Sequence, residues 1–131
     1  MIKALFFDID GTLVSFNTHE IPQSTVDALE QAKRNGVGVY ISTGRPVKLI
    51  NNLHAIEHLI DGYITTNGAY SFIGDKVVSC VDIPLEDART LIRLADEMNF
   101  ATMVVGAKDL TVYHPDEMVD KVFRQLLNVN D

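Results

Sequence analysis

The feature that most constrains the fold is the change from apolar to acidic residues near the amino terminus. The run from Ile2 to Phe7 shows little alternation of apolar and polar residues, which is typical of a strand covered on both faces. Asp8 follows directly, Asp10 can face the same cleft two residues later, and Gly11 permits a sharp exit from the strand. Two carboxylates this close repel each other unless a cation or a proton lies between them. The pattern predicts a functional acidic pair, with an ordinary Asp- and Gly-containing turn as the simpler alternative.

Two further apolar strands are predicted, at residues 37–41 and 63–66, each preceded by a helix. The first helix is predicted to begin at a capping box that Ser24 opens, and the second at Pro46. The residues expected on the buried faces of these helices are Val26, Leu29 and Ala32, then Leu49, Leu53, Ile56 and Ile60. Strands alternating with helices over short links predict an α/β fold with a parallel, Rossmann-like sheet.

Polar residues stand where each predicted strand ends. Thr43 and Gly44 follow the second strand, and Asn67 follows the third. Because parallel strands place their carboxyl ends at one edge, we expect these residues to converge with Asp8 and Asp10. Ligand sites of open α/β sheets lie at that edge, so the sequence predicts a ligand site there.

The pattern changes after Gly68. Residues 70–73 and 76–80 flank Gly74-Asp75 and predict a hairpin, in which Cys80 is expected to be a small buried residue. A helix (84–98), two strands (101–105 and 110–113) and a final helix (115–127) are then predicted. The residues expected on the buried faces of these two helices are Ala88, Leu91, Ile92 and Ala95, then Met118, Val122, Phe123 and Leu126. We predict two domains, 1–82 and 83–131.

The segment Asp8-Ile9-Asp10-Gly11-Thr12 resembles the first signature of the haloacid dehalogenase (HAD) phosphohydrolases. The surrounding sequence is similar to the Cof-type sugar-phosphate phosphatases of that superfamily. The resemblance implies that Asp8 attacks phosphorus and becomes an aspartyl-phosphate, while Asp10 protonates the leaving group and then deprotonates the attacking water. It also implies that Mg²⁺ binds a carboxylate oxygen of Asp8 and the backbone carbonyl of Asp10, which are hard oxygen ligands.

Thr43-Gly44 is similar to the second HAD signature, in which a hydroxyl residue closes the second strand. Arg45 could contact the substrate phosphate or could simply be solvated. Asn67 could bond the ligand, brace the Asp8 loop, or serve only as a left-handed turn residue before Gly68. The substrate-binding residues that the resemblance implies are Thr12, Thr43, Gly44, Arg45 and Asn67.

Two HAD signatures, a later lysine and a later Gly-Asp with a further acid, have no counterpart in the sequence. In the family both follow an α/β cap, and residues 84–127 resemble the opening of that cap. Other acids and lysines of the sequence do not replace these signatures, because they belong to the predicted hairpin or to the cap-like elements: Asp75, Lys108, Asp116, Asp120 and Lys121. We therefore expect the chain to correspond to the amino-terminal part of a phosphatase, to bind Mg²⁺ weakly, and to turn over slowly or not at all.

Composition limits the partners. The chain is 47% hydrophobic and 22% charged, which indicates a globular protein, and its net charge of −7 disfavours nucleic acid and anionic membranes. A single cysteine and the absence of a long apolar run predict a cytoplasmic protein. The predicted substrate is a small phosphorylated metabolite, and the family resemblance implies a sugar phosphate. Exposed apolar strand edges or faces are expected to favour a homo-oligomer.

Other functions remain open at this stage. The same residues could bind a phosphate or phosphosugar without hydrolysis, or form one half of a split enzyme. A receiver-type signalling domain is disfavoured because Asn67 stands where its phosphorylated Asp would be needed. His54, Glu57 and His58 match a zinc-protease pattern, but surface histidines beside a buried stripe are the preferred interpretation.

Overall fold

The computed structural model describes residues 1–107, 109–127 and 129, in two compact units that divide between Cys80 and Val81. The first unit contains one five-stranded sheet whose strand order follows the chain. Its strands are β1 (Ala4–Phe7), β2 (Gly38–Ser42), β3 (Gly62–Thr65), β4 (Tyr70–Ile73) and β5 (Lys76–Cys80). Strands β1 to β3 are parallel, and the β4–β5 hairpin extends the sheet in antiparallel fashion. The predicted α/β class with a Rossmann-like parallel sheet is confirmed.

The core of this unit lies against one face of the sheet. Val39 and Ile41 of β2 are fully buried, and helix α1 (Gln23–Arg34) packs Val26 and Leu29 into the same cluster. On the opposite face, Phe6 stacks on Tyr40 with ring centroids 4.9 Å apart and remains 57% exposed. The expectation that β1 is covered on both faces is therefore wrong for the described residues, because successive side chains of the strand point to opposite faces.

The helix predicted from Pro46 is wrong. Only two short 3₁₀ turns form, Val47–Leu49 and Glu57–Leu59. The carbonyl of Leu49 accepts a hydrogen bond from the Arg45 side chain at 2.7 Å, so it is engaged where a continuing helix would offer it to a backbone N–H. The apolar positions still point inward, because Leu49, Leu53 and Ile56 are buried and Ile60 is half-buried.

The capping box predicted at Ser24 is also wrong. Helix α1 begins one residue earlier, at Gln23, with Pro22 as its N-cap and no side-chain capping bond. Asp27, the expected partner, instead accepts a hydrogen bond from the side chain of Gln23 at 2.9 Å. Cys80 corrects a further expectation, because it is exposed rather than buried. Its strand, β5, is the last strand of the sheet, so its side chains have a neighbouring strand on one side only.

The second unit contains helix α2 (Leu85–Glu97), an antiparallel pair β6 (Thr102–Val105) and β7 (Leu110–Tyr113), helix α3 (Glu117–Asp120) and a π-helical turn at Lys121–Leu126. Of the predicted buried faces, Ala88, Ile92, Ala95, Val122 and Phe123 are half-buried. Leu91 (55% exposed) and Met118 (63% exposed) are not buried, which corrects the prediction. The side chain of Leu126 and all of Lys108 lie outside the described residues.

Asp116 caps helix α3, since its carboxylate accepts the N–H of Val119 at 2.9 Å, as expected of an acid at a helix start. Interpreting the two units as a phosphatase core and part of a cap stays a prediction. Among the described helices, none has the length and apolar character needed to cross a bilayer. The expected self-association likewise stays a prediction.

Candidate active site

The acidic pair lies on a tight loop directly after β1. Ile9 is fully buried between the two acids, and its carbonyl accepts the N–H groups of Thr12, Leu13 and Val14 at 2.9–3.2 Å. Gly11 has a φ of 77°, and a Cβ there would lie 2.8 Å from the ring of Phe16, so the loop requires glycine. Burial of Ile9 therefore fixes a loop from which Asp8 and Asp10 extend at the carboxyl end of the strand.

Arg45 holds the carboxylate of Asp10 from the loop that follows β2. Its Nε donates to Oδ2 and its Nη2 to Oδ1, both at 2.7 Å, which is a bidentate pair. The side chain of Arg45 is only 4% exposed and that of Asp10 is 20% exposed. The alternative of a solvated arginine is wrong, and a contact of Arg45 with phosphate stays a prediction.

Two other side chains and one carbonyl fix Arg45. Its Nη1 donates to the carbonyl of Leu49 at 2.7 Å and to Oδ1 of Asn51 at 3.3 Å. Its backbone N–H donates to Oγ1 of Thr43 at 3.1 Å, and Thr43 is itself buried. The guanidinium is therefore held at one end by Asp10 and at the other by the segment that follows it in the chain.

The loops after β2 and β3 meet at the same edge. The N–H of Thr66 donates to the carbonyl of Arg45 at 3.1 Å, and the N–H of Asn67 donates to the carbonyl of Thr43 at 3.3 Å. A Cβ on Gly44 would lie 2.9 Å from Oδ1 of Asn67, so glycine allows this approach. Thr66 and Asn67 have φ values of 52° and 53°, which is unusual for a β-branched residue such as Thr66.

The structure thus joins five of the predicted residues through direct contacts. These residues are Asp10, Thr43, Gly44, Arg45 and Asn67. Asp8 is placed by register instead: Phe7 pairs with Ile41, so Asp8 and the end of β2 lie level at the sheet edge. Within the described residues, the exposed side chains of Asp8 and Thr12 make no hydrogen bond or ion pair.

The oxygen atoms at this edge fit Mg²⁺. The Asp8 carboxylate is accessible, and among the described residues the backbone carbonyl of Asp10 accepts no hydrogen bond. Because Arg45 occupies the Asp10 carboxylate, the carbonyl of Asp10 and the carboxylate of Asp8 are the donors that could hold the ion. No cluster of three or more His, Cys, Asp or Glu residues suited to a metal occurs in the described part of the chain.

The zinc-protease pattern is not supported by local structure. His54 and His58 are both exposed, and the chain between them is not a helix that could present them on one face. Surface histidines were the preferred interpretation, and their exposure agrees with it. The loss of the helix removes the geometric basis for the zinc alternative.

Two ionisable groups with perturbed pKa values lie away from this edge. Burial tends to raise the pKa of Asp61, but hydrogen bonds from Lys33 and the Val39 N–H, with the Lys33 charge, hold it below its usual value. Burial and the charge of Glu57 raise the pKa of Tyr63. Both perturbations therefore concern the fold around β2 and β3.

Sequence reasoning missed the pairing of Arg45 with Asp10 and the supports from Leu49 and Asn51. One signal was available, because a cation one residue beyond Gly44 and an acid beyond β1 stand at ends of adjacent parallel strands. The supports from Leu49 and Asn51 had no such signal, because they depend on the segment not being a helix.

Comparison with known proteins gives the family. The family model of the haloacid dehalogenase-like hydrolases matches residues 5–130 of this chain. YxeH of Bacillus subtilis (strain 168), a provisionally named phosphatase, is 32% identical over 130 residues, which cover 86% of this chain and 47% of YxeH. The chain thus spans about half the length of this relative.

Two solved structures agree. A member of a phosphoryl-transfer superfamily, in which a trigonal-bipyramidal intermediate is conserved, is 47% identical with a TM-score of 0.94, over 100% of this chain and 51% of the other. The HAD subclass IIB sugar phosphatase BT4131 is 47% identical with a TM-score of 0.90, over 98% of this chain and 50% of its own. The loop geometry, the family match and these structures agree with the predicted resemblance, and the chain belongs to the haloacid dehalogenase-like hydrolases.

Proposed function

We propose that the chain carries the nucleophile half of a Mg²⁺-dependent phosphatase that hydrolyses small phosphorylated metabolites through an aspartyl-phosphate on Asp8. One observation carries the proposal: two neighbouring acids at the sheet edge have different surroundings. Asp8 is exposed and makes no hydrogen bond among the described residues, whereas Asp10 is fixed by Arg45 on both oxygens.

This difference assigns a role to each acid. A carboxylate with accessible oxygens can approach phosphorus, so Asp8 is the nucleophile. The two bonds from Arg45 use one lone pair on each oxygen of the Asp10 carboxylate, and the second lone pair on each oxygen stays able to bind a proton. Asp10 is therefore the group that protonates the leaving oxygen and later deprotonates water. Bound Mg²⁺ would neutralise charge on the transferred phosphoryl group, with Asp8 and the Asp10 carbonyl as its protein ligands.

The substrate class rests on similarity. BT4131, which is 47% identical, is a sugar phosphatase, and this supports sugar phosphates as substrates. By family resemblance, a lysine and a second acidic motif complete such a site, and neither has a counterpart in this sequence. We therefore propose that these 131 residues, without a further chain, hydrolyse phosphate esters only slowly. A cytoplasmic location also stays a proposal.

The test is a phosphate-release assay with Mg²⁺ and a panel of sugar phosphates. The chain is assayed alone and mixed with a carboxyl-terminal fragment of BT4131. We expect faster release in the mixture, loss of release with Asp8→Asn, and no change with the matched control Asp75→Asn, an exposed acid in the β4–β5 turn. After acid quenching, mass spectrometry should find one phosphoryl group on Asp8.

Release that persists in Asp8→Asn contradicts the nucleophile assignment. Tight phosphosugar binding with no release, alone or in the mixture, would instead establish a non-catalytic binding module.

A further inference from the structure

We propose that Arg45 is a positioning residue that orients Asp10 for proton transfer, and that it does not bind the substrate phosphate. The inference rests on the proposed phosphatase function. Its starting point is the bidentate pair, in which both nitrogens lie 2.7 Å from their carboxylate oxygens. A planar guanidinium that donates two parallel bonds fixes both the position and the rotation of a carboxylate.

The setting of Arg45 opposes movement toward a ligand. Its Nη1 is engaged by the carbonyl of Leu49 and by Asn51, while its backbone N–H donates to Thr43. Turning the side chain toward a phosphate would break the bonds to Asp10 and Leu49 together. A buried carbonyl and a partly buried carboxylate left without donors are costly, so the observed arrangement favours a fixed arginine.

The proton balance shows what a fixed Asp10 does. In the first step an Asp8 oxygen forms a bond to phosphorus, the bond from phosphorus to the leaving oxygen breaks, and the proton of Asp10 passes to that oxygen. In the second step water attacks phosphorus, its proton passes to Asp10, and the bond from Asp8 to phosphorus breaks. Misplacing Asp10 therefore impairs a reaction in proportion to its need for a proton.

That dependence separates positioning from phosphate binding. Glucose 6-phosphate releases an alkoxide that needs protonation, whereas 4-nitrophenyl phosphate releases a stable anion that does not. The parameter kcat/KM reports steps up to enzyme phosphorylation, so the later hydrolysis does not obscure the comparison. We expect Arg45→Gln to lower kcat/KM about 100-fold for glucose 6-phosphate and less than about 5-fold for 4-nitrophenyl phosphate.

Equal losses with the two compounds would overturn the proposal, because a lost phosphate contact affects both alike. Arg45→Lys keeps the charge but cannot make the two-bond fork, so we expect an intermediate loss with the same dependence on the leaving group. Arg34→Gln is the matched control, since Arg34 is exposed and, among the residues that the structure describes, its side chain pairs only with Glu30 and Gln31 of its own helix. In an Asp10→Asn background, Arg45→Gln should cause no further loss of kcat/KM for glucose 6-phosphate.

A second measurement needs no turnover. By NMR, the Nε–H of Arg45 should exchange with solvent far more slowly than that of Arg34, and Asp10→Asn should accelerate this exchange. Equal exchange for the two arginines overturns the positioning role even if the chain is inactive. Absence of turnover by the unmodified chain, alone and with the BT4131 fragment, counts against the proposed function alone, and the NMR result then decides the role of Arg45.

Discussion

The parallel strands carry a carboxylate–cation pair at each end, and the two pairs differ in what surrounds them. At the carboxyl end, Arg45 donates two hydrogen bonds of 2.7 Å to the carboxylate of Asp10. At the amino end, Lys33 donates to Asp61 at 2.5 Å. The side chain of Asp61 also accepts a hydrogen bond from the N–H of Val39 at 2.8 Å. Because Asp61 directly precedes β3 and Val39 lies near the beginning of β2, this bond joins the first residues of the two strands.

Exposure separates the two pairs. The side chains of Lys33 and Asp61 are 31% and 34% exposed, whereas that of Arg45 is 4% exposed. Burying a charge costs much more than leaving it in water, and an apolar pair would fill the same space more cheaply. A buried pair at the edge where ligands bind therefore indicates function, while the half-exposed pair is explained by the strands that it joins.

The largest expected difference between the pairs is catalytic. Asp10→Asn should lower kcat/KM for a sugar phosphate about 10²- to 10⁴-fold, because it removes the proposed general acid. Asp61→Asn should change kcat/KM less than about 2-fold, because Asp61 lies at the opposite end of the strands. Steady-state kinetics on the chain mixed with the BT4131 fragment provide the measurement. Similar losses in both variants would break the comparison.

The second difference concerns stability. Asp10→Ala removes the carboxylate that accepts two hydrogen bonds from the buried Arg45 guanidinium, so we expect the free energy of unfolding to fall by about 3–5 kcal/mol. Asp61→Ala leaves Lys33 free to move into solvent, and its expected cost is about 1–2 kcal/mol. Urea unfolding followed by circular dichroism measures both, and the double variant Asp10→Ala/Arg45→Met should recover part of the first loss. A larger cost for Asp61→Ala than for Asp10→Ala would reverse our assignment of the two pairs.

Much of the sheet and of its functional edge could be predicted from sequence, for identifiable reasons. The β4–β5 hairpin follows from turn chemistry at Gly74-Asp75, and the position of Asp8 follows from the abrupt end of an apolar run. Both signals are local. The segment after Pro46 was mispredicted because its apolar spacing fits a helix, whereas a distant contact, Arg45 with Asp10, places the guanidinium against the Leu49 carbonyl. Periodicity reports which residues are buried and does not report competition for a backbone group.

Glycines at the two ends provide a smaller contrast. A Cβ on Gly62, where β3 begins, would lie 2.9 Å from the backbone oxygen of Phe72. Because backbone cannot move aside, Gly62→Ala should lower the free energy of unfolding by about 1–3 kcal/mol. A Cβ on Gly44 would meet only the end of the Asn67 side chain, which can rotate away. Gly44→Ala should therefore cost less than Gly62→Ala in thermal unfolding, and the reverse order would show that Asn67 is as rigid as backbone.

The smallest expected effect is the pH dependence that Asp61 gives to stability. Burial raises its pKa, but the bonds from Lys33 and Val39 outweigh burial, so the folded pKa lies below the usual 3.8. The unfolded chain then binds a proton at Asp61 before the folded chain does. The stability that Asp61 contributes is present above its unfolded pKa and is lost as pH falls through the folded pKa.

Unfolding free energies of the unmodified chain and of Asp61→Asn should therefore differ at neutral pH and converge in acid. Lys33→Met keeps the hydrogen bond from the Val39 N–H to Asp61. Its unfolding free energy should therefore retain part of the pH dependence that the unmodified chain shows in acid. A gap between the unmodified chain and Asp61→Asn that stays constant below pH 3.8 would mean that Asp61 acts through packing and not through its charge. The amino-end pair would then no longer be the ionic counterpart of Asp10 and Arg45.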